Sequence, residues 1–148
     1  MPHVHVPGLV LNLDPDELTG KGAQFTCPEE ESASTPQYFV CLEADAKQGL
    51  WVPLYSGPAT GRKGIPGTVK AGSPQWTRSP SFYSPGELWR ASHKAVQHGA
   101  VAARDRSTVK QPNTLVLSAL PKREEFPPEA SFKAGANARR ALGSARPF

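Results

Sequence analysis

The sequence predicts an α+β fold: a small, strongly bent antiparallel sheet or SH3-like barrel spanning residues 4–120, with one packed helix near 85–98. A Pro/Gly-rich basic tail, extended or flexible, is expected to follow at 121–148. Three observations carry this reading. Tyr38–Tyr55 is the densest apolar run and falls into two strand-like halves around the polar turn Ala44–Gly49. Ser84-Pro85-Gly86-Glu87 reads as a helix start. Sixteen prolines and thirteen glycines make up about a fifth of the 148 residues, against roughly 12% in ordinary proteins, so elements are short and turns many.

In chain order, Leu9–Leu13 is the first credible strand, and Asp14-Pro15-Asp16 marks a turn through Asp side-chain bonding and the fixed φ of proline. Gln24–Cys27 reads as a short strand, and Glu29–Pro36 as a solvated loop. Tyr38, Phe39, Val40, Trp51, Val52 and Tyr55 are aromatic or β-branched, which suits a pleated, half-buried surface. Pro53 cannot donate to a ladder, so it marks a strand end, an edge or a bulge. Gly61–Gly67 is a flexible basic loop whose glycine spacing is not that of a P-loop. The capping box at Ser84 and Glu87, with Pro85 at the first helical position, opens a helix that Gly99 closes. Thr114–Leu120 has strand composition and closes the sheet.

Charge is unevenly placed. Residues 1–45 hold eight acids against the single base Lys21, a net of −7. Ala46–Gly86 has no acid but five bases, Lys47, Arg62, Lys63, Lys70 and Arg78. With the whole chain at +4, the asymmetry points to a polyanionic partner or to pairing between the acidic and basic parts. No apolar run approaches the roughly 20 residues of a membrane helix, and the N-terminus lacks the pattern of a signal peptide. A cytoplasmic protein with two buried, reduced thiols at Cys27 and Cys41 is expected.

Chemical motifs are few. His3-x-His5 places two rings on one side of a strand, but no third ligand follows at metal-site spacing. His93, Asp105 and a serine do not form a nucleophile-elbow pattern. No catalytic residue, metal or cofactor is therefore expected. Basic residues interleaved with aromatics are more suggestive, and the candidate nucleic-acid contacts are Arg62, Lys63, Lys70, Trp76, Arg78 and Arg90.

The order of Pro7-Gly8-Leu-Val-Leu, the Tyr-Phe-Val-Cys-Leu strand, the Trp-Val-Pro-Leu strand and a late helix resembles the PemK/MazF-like family of SH3-type barrels. That resemblance covers residues 7–98 and implies an RNA-cleaving toxin of a toxin–antitoxin pair. The Arg-Pro pair that carries the family's catalytic arginine is replaced here by Thr35-Pro36-Gln37. The first expectation is thus a non-catalytic binding module contacting RNA, DNA or an acidic protein surface. An RNA-cleaving toxin is the second. A structural protein that oligomerises or assembles through its tail is the third.

Overall fold

The computed structural model describes residues 5–107 and 110–135. In chain order its elements are β1 (Leu9–Leu13), α1 (Pro15–Gly20), β2 (Gln24–Phe25), β3 (Gln37–Ala44), β4 (Gln48–Pro53) and β5 (Lys63–Ile65). There follow β6 (Lys70–Ala71), α2 (Pro74–Thr77), β7 (Ser81–Tyr83), β8 (Trp89–Ser92), α3 (His93–Ala102), β9 (Asn113–Leu115) and β10 (Lys133–Ala134). All pairings are antiparallel. Eight strands form one sheet in the order β10-β2-β8-β4-β3-β1-β9-β6, and β5 and β7 form a separate ribbon. The α+β class holds, but the large sheet is open: β10 and β6 stand at its two ends instead of closing a barrel.

The hairpin β3–β4 lies at the centre. Val40 pairs with Val52 and Cys41 with Trp51. Asp45 shapes its turn, Oδ1 accepting from the amides of Lys47 at 2.8 Å and Gln48 at 2.9 Å. Side chains alternate across a strand, and both faces of this hairpin are apolar, so the sheet carries two cores. On one face Phe39, Cys41, Trp51 and Trp89 pack with Leu13 of β1, Leu18 of α1, and Ala95 and Val96 of α3. On the other, Val40, Leu42, Val52 and Leu88 meet Ile65, Trp76, Tyr83, Leu115 and Phe126. Trp51, Trp76 and Trp89 are essentially fully buried. At 150–250 Å² for a buried aromatic and about 25 cal/mol per Å², each supplies roughly 4–6 kcal/mol of transfer free energy. Pro53 ends β4, where its missing N–H interrupts no ladder.

Four expectations need correction. The helix does not start at Ser84. Ser84 accepts the Glu87 amide through its backbone carbonyl (3.0 Å) in a turn, and residues 89–92 form β8, with Trp89 and Ala91 inward and Arg90 and Ser92 outward. The helix begins at His93, capped by Ser92, whose Oγ accepts from the Ala95 amide at 3.1 Å. Asp14-Pro15-Asp16 is not a free turn but the start of α1, with Asp14 accepting the Asp16 amide at 3.0 Å and Pro15 in the first turn. Nor does the chain leave the core at 121. Phe126 is buried, Tyr83 stacks beside it at 6.0 Å, and Lys133 and Ala134 pair with Phe25 and Gln24. The rest of the expected tail, 136–148, lies outside the described residues. β9 is shorter than expected, and Leu117–Ala119 turns into a 3-10 helix.

Candidate binding groove

The six sequence-predicted contacts do not converge on one surface. Trp76 belongs to the core. Lys70 is buried over the Trp76 ring, 4.2 Å from its centroid, and Nζ donates to Ser79 O at 2.5 Å and Ser81 Oγ at 2.6 Å. Burial without a carboxylate holds the Lys70 ammonium below its usual range. Arg62 lies 3.9 Å over the Tyr55 ring and donates to Gly57 O at 2.8 Å. Lys63 pairs with Glu125 at 2.8 Å. Arg90 pairs with Glu129 at 2.9 Å and stacks on Phe132. Arg78 is exposed. Four of the six are thus committed to packing or ion pairs, Arg62 is partly committed, and only Arg78 extends into solvent.

A different surface gathers the unspent apolar groups. Among the described residues the exposed large hydrophobics are Val6 (53% exposed), Val101 (79%), Val116 (47%) and Leu117 (67%). All four line one groove of about 960 Å³. Its floor is Leu9, Leu11 and Leu115, and its walls are the segment His5–Gly8, the Gln97–Val101 side of α3, and residues 112–117. Isolated exposed hydrophobics are ordinary, but a contiguous patch marks an interaction site.

Gly8 allows the strands to meet beneath this groove. Its φ is +91°, a region L side chains rarely adopt, and a Cβ there would lie 2.7 Å from Leu115 O. Gly8 N donates to Cys41 O at 2.9 Å, and Leu115 N donates to Gly8 O at 2.8 Å, so one residue ties β3 to β9.

A polar cleft of about 810 Å³ adjoins the groove, the two sharing Asp105 and Ser107. Arg104 and Arg106 line the cleft. Asp105 is the one carboxylate lining either cavity, and it is engaged: it accepts from Asn12 N at 2.8 Å, from Ser107 N at 3.2 Å and from Ser107 Oγ. Arg104 and Arg106 are exposed there, and Lys94 is exposed on α3. The rim is cationic.

No family model, curated protein or solved structure matches this chain.

The other titratable groups serve the interior. Glu87 accepts from Ala33 N at 2.7 Å, Trp89 Nε1 at 2.8 Å and the Tyr55 hydroxyl. Burial pushes its carboxyl above the usual range, although those three bonds pull the other way. Cys27 and Cys41 are free thiols, each pushed up to about 12 chiefly by burial. Among the described residues no three His, Cys, Asp or Glu side chains cluster as metal ligands would; His3 lies outside them. No described helix is long and apolar enough to cross a membrane. Sequence reasoning missed the groove because Val6, Val101, Val116 and Leu117 come from three separate segments. The position of Val101 outside the helix's buried stripe was the one local signal.

Proposed function

We propose that this protein is a non-catalytic binding module that docks an acidic, amphipathic segment of a partner protein in the groove between α3, His5–Gly8 and residues 112–117. The convergence of every described exposed large hydrophobic on that groove carries the reading. Charge selects the occupant. The adjoining rim offers Arg104 and Arg106 with no free carboxylate, which favours acids flanking an apolar anchor. The chain's own segment 136–148 has Arg139, Arg140 and Arg146 and no acid, so the rim repels it. The aliphatic character of the groove favours protein over single-stranded nucleic acid, which is gripped by stacking aromatics. The three tryptophans are buried.

The test is an anisotropy titration with a panel of labelled amphipathic peptides, leucines on one face and glutamates on the other, beside single-stranded RNA and duplex DNA. The expected result is salt-sensitive peptide binding, weakened at least about tenfold by Val101→Glu with Leu117→Glu. RNA or DNA binding that persists at physiological salt and ignores that double variant would transfer the function to nucleic acid. Cleavage of the RNA would favour the toxin-like reading, and an oligomer dissolved by the double variant would favour self-assembly.

A further inference from the structure

The groove wall that carries Val6 begins at a pair of histidines. His5 is 2% exposed, and its ring meets Trp51 edge-on, centroids 5.6 Å apart. Its Nδ1 lies 2.9 Å from Nδ1 of His93, the first residue of α3. His93 Nε2 is 2.6 Å from the carbonyl oxygen of Asp45, which only accepts, so Nε2 carries a proton and donates. While His93 is neutral its Nδ1 is the acceptor, and His5 Nδ1–H donates to it. This contact tolerates neutral His93 facing either neutral or cationic His5. It does not tolerate two cations, because each Nδ1 would then present a proton to the other.

We propose that the His5–His93 pair is a proton-operated latch that holds the Val6–Pro7 wall of the groove in place and releases it when both rings are protonated. The latch rests on the groove reading for its effect on a partner, not for its chemistry. Histidine is the side chain suited to switch between about pH 5 and 8. Among the described residues, the other titratable groups on the elements around the pair do not take over this role. The Asp45 carboxylate accepts the amides of Gln48 and Lys47, which hold it below its usual range. Lys47 offers its backbone carbonyl to His93 N. On β3, Cys41 offers its backbone carbonyl to Gly8 while its thiol stays protonated, and the Glu43 carboxylate is exposed, as is Lys94 on α3. Beyond Pro7 the chain stays anchored through Gly8 to Cys41 and Leu115, and the Val6 carbonyl accepts the Leu9 amide at 3.1 Å, so release starts at His5 and reaches Val6 only as that one bond yields.

The experiment is a pH titration of the full chain by NMR from about pH 7.5 to 5, following the His5 and His93 rings and the Val6 methyls. Glutamate-leucine peptide binding is measured over the same range. In wild type both rings and Val6 are expected to move together, and peptide affinity to fall about tenfold on acidification. His93→Gln, or His5→Gln should the first variant not fold, is expected to abolish the Val6 transition and reduce the affinity change to less than about twofold. Separate ring titrations with unmoved Val6 methyls would overturn the latch, as would a variant that keeps the wild-type pH dependence. If Val6 moves but no peptide of the panel binds, the latch stands and the docking role falls. If peptide binds independently of pH and the Val6 methyls stay unmoved, the docking role stands and the latch falls.

Discussion

Glu87 shows how one residue turned from an expected surface cap into a core group. As a cap its carboxylate would reach the Ser84 amide; instead it joins Ala33, Trp89 and Tyr55 inside the protein. Because burial raises its pKa on folding, the folded state binds more protons than the unfolded state. Its contribution to stability is therefore complete below the ordinary glutamate range and declines as pH rises through the raised value. Urea denaturation at a series of pH values is expected to show this decline in wild type and not in Glu87→Gln, which keeps the shape and cannot ionise. Equal slopes in the two proteins would place the pH dependence elsewhere. Ser92 and Ser84 offer a paired test of the helix start. Ser92→Ala is expected to cost about 1 kcal/mol by loss of the cap, with Ser84→Ala close to neutral; the reverse order would restore a helix beginning at Pro85.

At the scale of elements, the parts legible in the sequence were those with a single consistent pattern. Leu9–Leu13 and the Tyr38–Tyr55 hairpin combine strand-forming residues with a polar turn, and both appear where expected. Residues 84–99 carry two periods at once. Trp89 fits a helical stripe with His93 and Val96, whereas Trp89 and Ala91 together fit a strand's alternation, and pairing of Trp89 with both Trp51 and Phe25 settles the choice. The local capping signal was overridden by that tertiary pairing. The helix that does form packs on α1 through Gly99, where a Cβ would come 2.9 Å from Leu18 Cδ2. Gly99→Ala therefore gains helix propensity but overpacks, with an expected net loss of about 1–3 kcal/mol in chemical denaturation. A stabilised variant would show that Leu18 moves aside at no cost.

For the whole molecule, composition suggested a domain ending at 120 because prolines and charges dominate beyond it. The structure spends those residues differently. Phe126 fills the second core, and Glu125 joins Lys63 and Tyr83. Although burial alone would raise it, the Lys63 and Tyr83 bonds and the Lys122 amide bring the Glu125 carboxyl down to about 2. Phe126→Ala is expected to cost about 3–5 kcal/mol, the range for a core phenylalanine. A loss below 1 kcal/mol, close to the scale of a surface change, would make 121–135 an appendage after all. The basic part of the chain was also visible in sequence, but its use was not. Lys63 and Arg90 find Glu125 and Glu129 from their own part of the chain. Arg104 and Arg106 remain exposed beside a groove assembled from distant segments. That arrangement is what supports the proposal that the groove, rather than the Arg62–Lys63 loop, is the functional face. Chemical-shift mapping with the glutamate-leucine peptide that binds most tightly tests this most directly. Perturbations are expected at Val6, Val101, Val116 and Leu117, with weaker effects at Arg104 and Arg106. Perturbations centred on Arg62, Lys63 and Arg78, with the groove signals unmoved, would contradict the account.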